Sequence, residues 1–166
     1  MKIILMSDSH DKKDAMDYVR RCYKDADLFV HCGDCLLPSF SPRMKGFLTV
    51  AGNMDKTLGY PEEETLEQGP FRILITHSDQ VLQGEKPDYK ALARYAKERG
   101  FNTVFFGHTH TYCDRSEDGV RLLNPGSVWK SRDGSPTTLM EIEMTDTDLI
   151  TKKVLMSDVM IRALSA

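Results

Sequence analysis

The chain has little that would tie it to a membrane, to nucleic acid or to an oxidising compartment. Its 166 residues contain no apolar run near the ~18 residues needed to cross a bilayer. The first apolar run is only a few residues long and is followed by charged ones, so no signal peptide is expected, and the expected location is cytoplasmic. A net charge of −3, with no basic stripe, argues against general nucleic-acid binding. There are only four cysteines, Cys22, Cys32, Cys35 and Cys113, and one C-x-x-C pair, Cys32 and Cys35, without a second. A disulfide framework is therefore not expected. A redox role would need Cys32 to be an exposed, low-pKa thiolate; the alternative is a pair of small side chains packed under a loop. Internal repeats, low-complexity tracts and linkers are also missing. A chain of this length with 40% hydrophobic and 28% charged residues is expected to be one domain with a real core.

Apolar periodicity divides what remains. Residues 13–23 read as a helix, with Ala15, Met16 and Val19 on one face. Residues 28–31 and 46–51 read as strands, separated at 38–45 by a proline-punctuated stretch with room for one short helix. Residues 56–70 are acidic and read as surface chain, with a weakly paired strand near 64–67. A strand at 71–76, a helix at 89–99 closed by Gly100, and a strand at 103–106 follow. The pattern then changes. Residues 111–115 and 120–123 flank Glu117-Asp118-Gly119, and 138–144 and 149–155 flank residues 145–148; both are hairpin signals. Asn124-Pro125-Gly126-Ser127 is a tight turn. A parallel first half and an antiparallel second half predict an α/β protein with two mixed sheets packed face to face and helices outside. The domain is placed at residues 1–155. Residues 156–166 are left as a tail, a short helix or a contact within a homo-oligomer.

The chemistry gathers where the apolar runs stop. The first run, Ile3-Ile4-Leu5-Met6, has the composition of a strand buried on both faces and ends in Ser7-Asp8-Ser9-His10. Four of the five histidines, His10, His77, His108 and His110, end apolar runs. In chain order the set is Asp8-x-His10, Gly33-Asp34, Gly52-Asn53-x-Asp55, His77 and Gly107-His108-x-His110. Each piece alone is weak, since an Asp-x-His can be a capped turn. Together they place carboxylates, an amide and imidazoles at the carboxyl ends of strands, where open α/β sheets bind ligands. Gly33, Gly52 and Gly107 each precede a candidate ligand, where a missing Cβ permits a sharp turn or a close approach.

On these residues the chain resembles the calcineurin-like metallophosphoesterase superfamily, specifically its small bacterial and archaeal single-domain phosphodiesterases. The likeness runs from residue 1 to about 155, and the Asn124-Pro125-Gly126-Ser127 turn is similar to one in that branch. The resemblance implies a four-layer αββα sandwich of two mixed sheets flanked by helices. It implies one divalent ion held by Asp8, His10, Asp34 and His110, and a second held by Asp34, Asn53, His77 and His108, with Asp34 bridging. Oxygen and imidazole donors suit Mn²⁺, and equally Fe²⁺, Zn²⁺, Ni²⁺ or Co²⁺. A hydroxide between two such ions would attack phosphorus in line, making the chain a metal-dependent phosphodiesterase for a small phosphate-ester substrate. Two divalent ions against Asp8 and Asp34 leave a charge of about +2 for anionic oxygens.

The chain also departs from that pattern. Much of the superfamily has a histidine after the Gly-Asn pair, close to the leaving group; this chain has Met54, which cannot donate a proton. Weaker catalysis with poor leaving groups is the expectation, with Asp55 kept in a supporting role. Ser78-Asp79 stands where the family tends to have Gly-His, so Asp79 would either repel phosphate or bind a polar group. His31 is assigned a structural or supporting role rather than direct ligation, and Asp11 and Asp14 are assigned to capping the first helix. Trp129 and Arg132 either border the pocket or lie on the surface. The competing function is a non-catalytic protein-interaction scaffold, because a eukaryotic retromer subunit resembles the same fold but has lost ligands.

Overall fold

Alternation along the strands sets the layers. The computed structural model describes residues 1–84 and 86–166. In β1 (Lys2–Met6), Ile3 and Leu5 face one way and Ile4 and Met6 the other, and all four are fully buried. β1 runs parallel to β2 (Leu28–His31), which runs parallel to β3 (Phe47–Thr49). The hairpin of β9 (Thr138–Met144) and β10 (Leu149–Leu155) adds antiparallel to β1, giving the order β10-β9-β1-β2-β3. The second sheet is ordered β4-β5-β6-β8-β7. Here β5 (Phe71–Thr76), β6 (Thr103–Phe106) and β8 (Val120–Pro125) are parallel. β4 (Glu63–Gln68) and β7 (Tyr112–Glu117) are the antiparallel edges.

Ile3, Leu5, Val30, Ile73, Phe105 and Ile142 meet between the sheets. Ile4 and Met6 pack outward against Met16 and Val19 of α1 (Ala15–Cys22) and Val159 of α3 (Met156–Ser165). Leu74, Val104 and Phe106 pack against Leu92 and Ala96 of α2 (Tyr89–Glu98) on the far side. The two mixed sheets are sandwiched between helices, as expected. With apolar groups on both faces of the central strands, periodicity is lost and the runs become continuous.

Two local expectations change, and one is met by a 3₁₀ turn alone. The strand expected to pair weakly near 64–67 is β4, which pairs with β5 at six positions from Glu63 opposite Thr76 to Gln68 opposite Phe71. As an edge strand it turns acidic residues to water, so its composition reads as loop. Residues 38–45 hold a single 3₁₀ turn, Pro42–Met44. α1 starts at Ala15, and Asp14, at its N-cap, makes no side-chain capping hydrogen bond; Asp11 lies upstream of the cap. No helix among the described residues is long and apolar enough to cross a membrane.

Every candidate ligand follows a parallel strand: Asp8 and His10 follow β1, Asp34 β2, Asn53 β3, His77 β5, and His108 and His110 β6. The loops are laced together by the Asp8 N–H donating to the Gly33 carbonyl and the His10 N–H donating to that of Asp34, both 3.0 Å.

Candidate metal centre

Asp8 is the hub. Its carboxylate is wholly buried, and Oδ2 accepts hydrogen bonds from the Ser7 hydroxyl (2.6 Å) and the His108 backbone N–H (3.0 Å). Oδ1 accepts none. It faces the Nε2 atoms of His110 at 3.2 Å and of His10 and His77 at 3.9 Å each. Asp34 Oδ2 lies 3.3 Å from His77 Nε2 and 3.6 Å from His10 Nε2, while its Oδ1 accepts from the Met54 N–H. Asn53 Oδ1 is 3.1 Å from His77 Nε2. Two sets of donor atoms lie close enough to share an ion: Asp8, His10 and His110, and Asp8, Asp34 and His77. The His108 ring stands edge-on to His77, with centroids 5.2 Å apart, and falls in neither set. Five of the seven candidate ligands thus share these two sets, Asn53 adjoins them through His77, and the His108 imidazole stands at their margin.

Local backbone conformation makes this convergence. Asp8, His10, Asp34, His108 and His110 all adopt positive φ, between 39° and 68°. Such strain in non-glycine residues costs of order 1–3 kcal/mol each and gathers where function requires it. The preceding glycines act mostly through space: a Cβ on Gly52 would strike the Asp34 side chain, and one on Gly107 would strike Ser7 and Asp8. Gly33 needs both freedoms, with φ of 96° and His77 Nδ1 2.8 Å from where its Cβ would sit.

Backbone carbonyls set the imidazoles. His77 Nδ1 donates to the Cys32 carbonyl (2.7 Å) and His110 Nδ1 to that of Lys130 (2.8 Å). Both rings thereby turn Nε2 toward the carboxylates, as ligating histidines are held. His31 has the opposite tautomer. Its Nδ1 accepts from the Gly33 N–H (3.2 Å), so its Nε2–H meets Ser9 Oγ (3.0 Å). Burial pushes its pKa down to about 4. It is a neutral brace between two ligand loops.

Residue pattern alone missed other braces. Ser127 Oγ donates to the Asp8 carbonyl (2.8 Å) and accepts the N–H groups of Trp129 and Lys130. Asn124 donates from Nδ2 to the Gly107 carbonyl (2.9 Å) and Thr109 Oγ1. The Asn-Pro-Gly-Ser turn was the available signal. Trp129 is at once at the surface and at the site, its ring centroid 4.6 Å from that of His10. Cys32 and Cys35 are buried, and burial lifts the Cys32 thiol well above its usual range and Cys35 to about 11, so neither is the exposed thiolate a redox role requires.

The electrostatics fit cation binding. Burial alone would raise the pKa of Asp8, but the charge of His77 and the facing imidazoles of His10 and His110 hold it well below the carboxylate range. Burial would likewise lower His77, yet the Asp8 charge and the Asp34 hydrogen bond raise it to about 9. Asp8 Oδ1 and His10 Nε2 are buried and unpartnered, an arrangement that costs free energy unless something satisfies them. The donors are oxygen and imidazole nitrogen, which suit divalent transition ions. When no ion is bound, His77 keeps its proton until about pH 9, and an ion must displace it. Raising the pH removes that competitor, so apparent Mn²⁺ affinity is expected to rise about tenfold per pH unit between pH 7 and 9 and then level off. Calorimetry in two buffers of unequal ionisation enthalpy should show about one proton released per cluster. A flat profile with no proton release would contradict this.

A fold of two mixed sheets with candidate Asp and His ligands at the strand ends is that of the metal-dependent phosphoesterases. Residues 1–147 match the model of the calcineurin-like phosphoesterase superfamily domain, and the chain belongs to that superfamily. It is 30% identical over 129 residues to a probable metallophosphoesterase of Bacillus subtilis, covering 77% of this chain and 75% of that protein. The crystal structure of a predicted phosphoesterase from Streptococcus pneumoniae superposes with a TM-score of 0.81 at 30% identity, covering 94% of this chain and 90% of that one. Vps29 of Entamoeba histolytica, solved with zinc, shares the fold at 19% identity, with a TM-score of 0.71 over 94% of this chain and 99% of that one.

Proposed function

We propose that this chain is a phosphodiesterase that works with two divalent ions, Mn²⁺ being the expected pair. The observation that carries the reading is the buried, unpartnered pair of Asp8 Oδ1 and His10 Nε2 inside a ring of donor atoms. Asp8, His10 and His110 would hold one ion; Asn53, His77 and His108 would hold the other. Asp34 Oδ2, within 3.6 Å of His10 Nε2 and 3.3 Å of His77 Nε2, is placed to serve both. Two bound ions would supply Lewis acidity at the phosphoryl oxygens and an activated water for in-line attack. The protein's part is to fix the donors before substrate arrives. Backbone carbonyls aim the rings of His77 and His110, and the Met54 N–H orients Asp34. The Met54 side chain cannot pass a proton to a departing alcohol, so diesters with acidic leaving groups should turn over fastest.

Bis(p-nitrophenyl) phosphate with Mn²⁺ tests this. Hydrolysis is expected, should stop with chelator, return with Mn²⁺ and vanish in Asp34→Asn. Turnover that survives both treatments would reject the mechanism. A folded protein that neither binds Mn²⁺ nor hydrolyses diesters would favour the interaction-scaffold alternative.

A further inference from the structure

Of the large apolar side chains left exposed, Trp129 stands against two candidate ligands and Met54 follows a third in the chain. Trp129 is 39% accessible and Met54 55%. The Trp129 ring lies tilted over His10 by 36° at 4.6 Å and edge-on to His110 at 6.1 Å. The indole thus packs against two candidate ligand histidines and is left partly open to solvent. Its backbone is fixed from two sides. The Trp129 N–H donates to Ser127 Oγ, which itself donates to the Asp8 carbonyl. The next residue's carbonyl receives His110 Nδ1. The ring is therefore held in register with the cluster before any ligand binds, which lowers the ordering cost of a stacking partner. Met54 adjoins through its backbone bond to Asp34 and adds a flexible apolar surface. A half-exposed indole on a rigid support is what a sequence-tolerant base platform needs, because every base offers a π-face.

Resting on the phosphodiesterase reading of the same site, we infer that Trp129 is a stacking platform for a planar heteroaromatic group on the substrate. Nucleoside phosphodiesters are accordingly preferred over aliphatic ones. A ring that only oriented His10 would act on all substrates alike.

The test uses two esters with one leaving group, thymidine 5′-p-nitrophenyl phosphate and methyl p-nitrophenyl phosphate, on Mn²⁺-loaded protein. The wild type is expected to favour the thymidine ester in kcat/KM by about tenfold or more, through KM. Trp129→Leu should erase that preference by raising KM, and Trp129→Phe, which keeps a ring, should restore most of it. No preference in the wild type, or an equal loss for both esters, would overturn the proposal. Trp129 is the chain's single tryptophan, which gives a readout independent of turnover. Adenosine 5′-monophosphate should quench its emission saturably in zinc-loaded protein, and ribose 5-phosphate should not. Quenching without hydrolysis of either ester would reject the phosphodiesterase reading and keep the platform. Hydrolysis without preference or quenching would do the reverse. Absence of both would end both.

Discussion

Asp8→Asn is expected to lower kcat/KM toward bis(p-nitrophenyl) phosphate by a factor on the order of 10³, with little change in melting temperature. The two effects separate because the two carboxylate oxygens have different partners. Oδ2 accepts the Ser7 hydroxyl and the His108 N–H, and an amide oxygen in its place keeps both. Oδ1 makes no hydrogen bond and faces three imidazole Nε2 atoms within 3.9 Å. An amide NH₂ there aims protons at the lone pairs meant for a cation and removes one of the two carboxylate charges. Elemental analysis should find fewer than two ions per chain. His77, which the Asp8 charge helps keep protonated, should titrate lower than its wild-type value of about 9. Wild-type turnover and full metal content in this variant would remove Asp8 from the cluster's centre.

Much of this arrangement was legible in the sequence, because strand burial and ligand chemistry are both local. The runs ending at Met6, His31, Thr76 and Phe106 are the strands observed, and the candidate ligands follow them directly. What sequence did not carry is pairing and support. β4 is a fully registered edge strand whose charged residues read as loop. Its Glu63 is clamped by Arg99 and Tyr95, a bond between residues more than 30 positions apart. The glycines before the ligands were read as allowing a sharp turn or a close approach; only Gly33 among them has positive φ, which otherwise falls on Asp8, His10, Asp34, His108 and His110 themselves. Ser7 acts through the neighbouring Asp8 carboxylate, and Asn124 and Ser127 through backbone carbonyls that the fold brings beside them, so residue type alone did not mark them as braces. His31 shows the converse. A strand-end histidine beside an Asp-bearing loop resembles a ligand by position, yet sequence already favoured a supporting role, and its hydrogen bonds show which groups it supports.

Asp55 gives the largest expected effect on stability. It is fully buried. Oδ2 accepts the N–H groups of Cys35 (3.2 Å) and Gly52 (3.1 Å), and Oδ1 accepts that of Leu36 (2.9 Å). Those donors flank Asp34 on one loop and Asn53 on the other, so one carboxylate joins the two loops. Asp55→Ala leaves three buried N–H groups unpaired, at roughly 1–3 kcal/mol each. Melting should fall by about 10–20 °C. Asp55→Asn keeps an acceptor for some of the three and should melt between alanine and wild type. The loops it joins carry Asp34, whose Oδ1 takes the Met54 N–H, and Asn53, whose Oδ1 meets His77. Loss of the clamp should therefore also weaken Mn²⁺ binding about 10–100-fold, the usual range when a group supporting a ligand is removed. Measured at a temperature where Asp55→Asn remains folded, that loss separates loop geometry from unfolding. An alanine variant that melts within about 3 °C of wild type would show that water replaces the carboxylate, and that the two loops are held by the strands beneath them.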